Sequence, residues 1–327
     1  MYTRRNYSFW LTFRWSQKPF YLGALYGLFI GMVSFFFDLH IAVPWSAITV
    51  IGIAVAFYLG FKNNSAYDRT WEARKIWGSI VNNSRTFGAA VVSFLQGEDQ
   101  ETIKGELIHR HIAWMTALRH QLRLSKPWEH VRERLGFYQP TICEDYHKTL
   151  GAELMRHIGE TEAAALRDKT NMATQVLKNQ SKRLQELHDQ GYFNDFRHMR
   201  LHDLIQTFYE DQGKSERIKN FPFPRQYAST ALWITYVFAF FVPFGLLDIF
   251  SIETGWTYWL MPLISGIIIW VFFLMEKIGD YSENPFEGTY NDVPITQIAR
   301  GIEIDLCEMV DDEEIPAPFV DDRGFLM

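Results

Sequence analysis

Residues Val43 to Phe61 read VPWSAITVIGIAVAFYLGF, nineteen residues without a charge, and the chain from Lys62 to Gly78 turns charged and aromatic with no Pro or Gly cluster to stop a helix. At about 1.5 Å per residue the uncharged part covers roughly 28 Å, the depth of a hydrocarbon core. The pattern predicts one helix that crosses a bilayer and carries on into water. Two stripes run along it. Ile53, Phe57 and Phe61 share one face at i, i+4, i+8, and Gly52, Ala56 and Gly60 make a small-residue face beside it. Small residues at this spacing let two helices approach closely. A large apolar face either packs and meets lipid, or lines a narrow water path that gates by dewetting.

Three further apolar segments belong with it. Pro19 to Ile41 carries the glycine stripe Gly23, Gly27 and Gly31, expected to pack on the Gly52/Ala56/Gly60 face. Ala228 to Phe250 contains Pro243, which removes a helical donor and should bend the helix and free a carbonyl. Thr257 to Met275 is the fourth. Neither short hairpin between spans contains Lys or Arg, whereas Lys18, Lys62, Arg69, Arg217, Lys219, Arg225 and Lys277 flank the opposite ends. The positive-inside rule then places both termini and the long middle region in the cytoplasm of a multi-pass cell-membrane protein. The first eighteen residues, basic and aromatic, read as an amphipathic entry segment.

The middle region is polar with helical periodicity and shows no convincing period-two alternation, so the expected class is all-α. Predicted helices run from Asp99 to about Leu124, Asp145 to Ile158, Thr161 (as N-cap) to Asp189, and Phe193 to Lys219, with Leu135 to Thr141 as loop. The expected organisation is 1–62 with the first two spans, 63–225 as a cytoplasmic helical region, 226–277 with the third and fourth spans, and 278–327 as a cytoplasmic tail. The net charge of -6 gives no basic bias toward nucleic acid, and Cys143 and Cys307 fit neither a metal spacing nor a disulfide framework.

Four spans enclose little by themselves, so a pore of useful width needs several copies about an axis. The runs FYLGFKNNSAYDRTWEARKIWGSIVNNSR (Phe57 to Arg85), ERIKNFPFPRQY (Glu216 to Tyr227), VPFGL (Val242 to Leu246) and ENPFEGTYNDVPI (Glu283 to Ile295) resemble, in order, the signature of the bestrophin family in its bacterial branch. The resemblance implies a homopentameric ion channel and not an enzyme. Its axial pore would have a neck of three apolar rings, Ile53, Phe57 and Phe61, and a second, cytosolic constriction at Phe196, with Arg197 as its neighbour one residue on. It implies small monovalent ions as the cargo, anions such as chloride favoured and monovalent cations as the alternative. The lipid bilayer and further copies of the chain are the expected partners. Calcium-activated animal members bind their ion after the N-P-F motif. Here Asn284 to Asp292 lacks the acidic run, so no strong calcium site is expected and the segment reads as a capped turn.

Other constellations are incomplete. His198 and His202 have metal-pair spacing, and Glu106-x-x-His109 is half of a di-iron pattern, which makes a membrane metalloenzyme the remote alternative. Neither pair finds a full ligand set, and no cofactor or metal is expected. Asp68, Arg69, Glu72 and Arg74 are spaced to pair within or between subunits just past the span and stiffen the exit helix, the alternative being that Arg69 or Arg74 attracts anions there.

Overall fold

A computed structural model describes residues 2–130, 142–250, 252–289, 291–320 and 324–326. The expected loop at 135–141 lies outside them. The described residues form α1 (Phe9–Phe37), α2 (Trp45–Phe94), α3 (Gln100–Arg123), α4 (Ile142–Leu166), α5 (Met172–Asp189), α6 (Asp195–Asn220), α7 (Arg225–Ile249), a 3-10 segment (Ile252–Leu260), α8 (Met261–Ser282) and α9 (Ile295–Met309). The protein is all-α, and among the described residues four helices are long and apolar enough to cross a membrane. α2 runs for 50 residues without a break, as its lack of Pro dictates. The chain divides into two units. One comprises Arg4–Asp68 and Phe223–Glu283; the other comprises Met1–Thr3, Arg69–Pro222 and Asn284–Met327.

In the first unit the glycine stripe of α1 packs on α8 and its 3-10 lead-in, not on α2. A methyl at Gly27 would lie 2.8 Å from the Ser265 Cβ, and one at Gly23 would lie 3.0 Å from Ile269. The reason is on α8, which brings its own small pair, Ser265 and Gly266, and hydroxyl donors for the exposed carbonyls. Ser265 Oγ donates to Gly23 O (3.1 Å) and Tyr258 OH to Gly31 O (2.6 Å). Gly52 accommodates the Phe238 ring of α7 instead, while nothing lies within 4 Å of a methyl at Gly60. Ile48, Val55, Leu59, Val242 and Leu246 join Phe238 in this core.

α1 begins ten residues before the expected Pro19, capped by Ser8, whose hydroxyl accepts from Leu11 N (3.2 Å), and it ends at Asp38 in the left-handed region. Entry segment and span are thus one helix. α7 runs through Pro243, and two carbonyls near that proline accept from outside the helix: Phe240 O from Tyr26 OH (3.2 Å) and Phe244 O from Val43 N (3.1 Å).

In the second unit α3 is the buried axis, packed against α4, α5, α6 and α9. Trp114 donates to Gln212 Oε1 (3.0 Å) and His111 Nε2 meets Ser84 Oγ (2.9 Å) inside a cage of Phe87 and Phe208. Burial pulls the His111 pKa down to about 3, so this ring is neutral. The predicted helix from Thr161 is corrected. Gly159 (φ 74) kinks α4, which ends at Leu166, and Asn171 caps α5 by accepting from Thr174 N (2.9 Å). The alanine run after Thr161 hides that second boundary, because alanine favours helix continuation whether or not the chain turns.

Candidate functional site

The uncovered stripe of α2 is the candidate site. Ile53, Phe57 and Phe61 are 61, 69 and 60 % exposed, while Val55 and Leu59, on the other side of the same turns, are buried. The Phe57 and Phe61 rings meet edge-on at 5.6 Å, a favourable aromatic geometry that couples successive turns. No charge enters the stripe. Lys62, the next residue, turns away from it and is buried, its Nζ 2.8 Å from Glu276 Oε1 and 3.7 Å from Asp280 Oδ1 of α8. Beside it, Gly279 leaves room for Asn63, whose Oδ1 would lie 2.2 Å from a methyl there. A second ion pair, Arg225 to Glu283 at 2.6 Å, joins the ends of α7 and α8. Sequence reasoning missed these pairs. The only signal was a lysine at the end of an apolar run, with acids at the end of another.

In the other unit, past the span, Arg69 is engaged at the end of α6 and Glu72 with Lys75. Arg69 donates to the carbonyls of Ile218 (3.1 Å) and Phe221 (3.0 Å), where α6 ends and its last carbonyls need donors. Glu72 pairs with Lys75 (2.7 Å), which holds its carboxyl below the usual range.

Phe196 stands in the first turn of α6, after the Asn194 cap, and is 85 % exposed. Arg197 is turned the other way, its Nη1 on Phe94 O (3.0 Å) at the end of α2. His198 and His202 lie with ring centroids 4.4 Å apart, His198 also on His188 (4.7 Å) and Phe193 (5.8 Å). Burial lowers the pKa of both His198 and His202. Among the described residues no group of three or more His, Cys, Asp or Glu is placed to hold a metal ion. The E-x-x-H pair is likewise separated: Glu106 pairs with Arg110 (3.1 Å) and Arg183 (2.9 Å), and His109 with Asp312 (3.0 Å).

The segment after N-P-F spends its carboxylates on internal donors. Asp292 takes Arg123 Nη1 (2.7 Å) and Thr289 Oγ1 (2.7 Å); Glu287 takes His130 N (2.8 Å) and Asn284 Nδ2 (3.2 Å). Both carboxylates are buried, and their contacts tie the turn to the end of α3.

This arrangement has relatives. A family model described as Bacterial/Fungal Bestrophin protein matches residues 18–308. The voltage-dependent anion channel-forming protein YneE of Escherichia coli K12 is 28 % identical over 297 residues, covering 90 % of this chain and 86 % of that protein. The voltage-dependent anion channel-forming protein sll1024 of Synechocystis is 27 % identical over 271 residues, covering 82 % and 78 %. Both are named as channel-forming proteins and not as enzymes, which removes the metalloenzyme reading of His198 and His202. A crystal structure of a bacterial bestrophin homolog from Klebsiella pneumoniae shares the fold with a TM-score of 0.76 at 21 % identity, covering 90 % of this chain and 98 % of that one. With the family model spanning all four membrane helices and the helical unit between them, the chain belongs to the bacterial/fungal bestrophin family.

Proposed function

We propose that the protein is a homopentameric channel of the cell membrane that passes small monovalent anions such as chloride, with both termini in the cytoplasm. The observation that carries this reading is the asymmetry of α2: its Ile53/Phe57/Phe61 face is uncovered by the rest of the chain, while the opposite face is packed. Five such faces turned to a common axis make three stacked apolar rings. A ring of this kind is a barrier because water leaves a narrow greasy constriction and an ion must shed hydration to pass. The exposed Phe196, at the start of α6, supplies a second, cytosolic constriction of the same chemistry. Arg197 does not serve there, being committed to the end of α2.

Apolar rings do not set the sign of the ion. The names of the relatives favour an anion. The turn of Lys62 away from the stripe, toward two acids, leaves the neck uncharged. The deciding experiment is a planar-bilayer recording in a KCl gradient. A reversal potential near the chloride equilibrium value supports the reading. One near the potassium value replaces it with a cation channel of the same architecture. Absence of current, or a monomer by light scattering in detergent, removes the pore.

A further inference from the structure

The apolar stripe of α2 ends at Phe61, but the exposed face it occupies runs on. At about 3.6 residues per turn, Asn64 falls about 20° to one side of the Phe57 direction and Asp68 about 20° to the other, inside the arc of about 80° between Ile53 and Phe61. Both are exposed, as the three apolar side chains are. The far side of the same turns is closed, with Leu59, Lys62 and Ala66 buried. At a rise of about 1.5 Å per residue, Asn64 stands about 4.5 Å and Asp68 about 10 Å beyond Phe61 along the helix. The face that is bare and apolar up to Phe61 is bare and polar after it.

The cations nearby are committed elsewhere. Lys62 lies on the packed side, on Glu276 (2.8 Å) and Asp280 (3.7 Å). Arg69, the next residue after Asp68, donates to the carbonyls of Ile218 (3.1 Å) and Phe221 (3.0 Å). Arg225 pairs with Glu283 (2.6 Å). Among the described residues the Asp68 carboxylate forms no ion pair or hydrogen bond. One exposed carboxylate on a helix is ordinary. Repeated by symmetry on the face that lines a pore, it is a ring of like charges at the end of an uncharged neck.

We propose that Asp68 sets the ionic balance of the pore: its copies form a carboxylate ring at one mouth of the neck that gathers cations and depletes anions there. This rests on the pentameric pore proposed above.

The neck presents a dehydration barrier without a sign. Asn64, just beyond Phe61, offers amide donors and a carbonyl acceptor alike, so it favours neither ion. Asp68 is then the first formal charge on this face past the Phe61 ring. Charges of one sign at a narrow mouth raise the local concentration of the opposite ion and lower that of the like one. The ring therefore works against chloride. A chloride channel that carries it passes less anion, relative to cation, than its apolar neck alone allows. The effect is one of field, so salt weakens it: the Debye length is about 10 Å at 0.1 M and about 3 Å at 1 M.

Reversal potentials in planar bilayers test this, in KCl gradients centred near about 0.1 M and near about 1 M. Wild type is compared with Asp68→Asn, Asp68→Glu and Asp68→Lys, and gel filtration in detergent checks that each variant assembles. At the lower salt Asp68→Asn should raise the chloride-over-potassium permeability ratio by about threefold, Asp68→Lys should raise it further, and Asp68→Glu should match wild type. At the higher salt the four should converge. Equal ratios in conducting wild type, Asp68→Asn and Asp68→Lys at the lower salt overturn the inference and leave the pore standing. So does a shift that persists undiminished at the higher salt, which marks a local contact and not a field. Loss of the oligomer in Asp68→Asn also overturns it, because Asp68 is then one half of a contact between copies. Wild-type protein that carries no current removes the pore itself, and this inference with it.

Discussion

Lys277 Nζ donates to the main-chain oxygen of Trp15 at 3.0 Å, and that oxygen is the one Pro19 leaves without its helical partner. The ammonium also lies 4.4 Å from the Trp15 ring and 5.2 Å from that of Tyr281. A proline near the entry to the first span is thus compatible with an unbroken α1 because a cation from α8 replaces the missing N–H. Lys277→Met should destabilise the protein by about 1 kcal/mol, since the acceptor it leaves unmade is part-buried and a fully buried one costs about 1–3 kcal/mol. Pro19→Ala in the same chain restores a donor and should recover part of the loss. Thermal unfolding of the two single variants and the double variant in detergent gives the coupling; strictly additive losses would sink the assignment.

The Lys62–Glu276–Asp280 group predicts a different pattern. Lys62→Met leaves Glu276 buried without its cation, and breaking such a pair costs about 3–5 kcal/mol. Replacing both, Lys62→Met with Glu276→Met, removes the stranded charge and should return stability to within about 1–2 kcal/mol of wild type. Chemical denaturation followed by tryptophan fluorescence compares them. A double variant no better than the single would mean that Asp280 carries the pair.

Gly27 and Gly60 separate packing from open space. Gly27→Val must displace Ser265, whose Cβ would stand 2.8 Å from the new one, and should cost about 1–3 kcal/mol by overpacking. Gly60→Ala meets nothing within 4 Å in one protomer and relieves glycine's helix penalty, so the single chain should tolerate it or gain about 0.5–1 kcal/mol. A large loss at Gly60 would show that a second copy packs there. Oligomer stability on native gels reads both.

How much of this was legible follows from the kind of signal. Four spans, the all-α class and the unbroken α2 were readable because apolar length and the absence of Pro act locally along the chain. The partner of the α1 glycines was not. A glycine stripe says that something comes close, not what; the choice fell to Ser265 and Tyr258, which can also satisfy its carbonyls. The break between α4 and α5 was misplaced because Asn171 acts only through its bond to Thr174 N. The His109–His157 contact joins residues 48 apart, and no periodicity reports a pairing set by how α4 returns across α3.

His111 predicts acid sensitivity. Its folded pKa of about 3 lies below the unfolded value near 6.5, so the unfolded chain binds the proton first. Stability from this site is intact above about pH 6.5 and drains as pH falls toward 3. At pH 4.5 the loss is about 2–3 kcal/mol. His111→Gln, which can still meet Ser84, should flatten the unfolding midpoint between pH 4.5 and 6.5. An unchanged slope in the variant would place the acid response elsewhere, with His157 next in line.

The neck gives the test on which the channel reading turns. Phe57 is the middle of three exposed apolar side chains, edge-on to Phe61, and the neighbouring Lys62 turns its charge away. In a closed ring of five, Phe57→Ala removes five aromatic side chains from one level and widens it enough to rewet. Ile53→Ala does the same one turn earlier. Anion flux into liposomes should therefore rise in both variants, several-fold if dewetting is the main barrier, with the reversal potential unchanged because no charge has been altered. Phe57→Leu should fall between wild type and Phe57→Ala. Stability should change little in a single protomer, since these side chains touch no core. Equal flux in wild type, Ile53→Ala and Phe57→Ala would take the gate away from this stripe and return it to lipid. A rise confined to Phe196→Ala would instead put the narrow point at the start of α6.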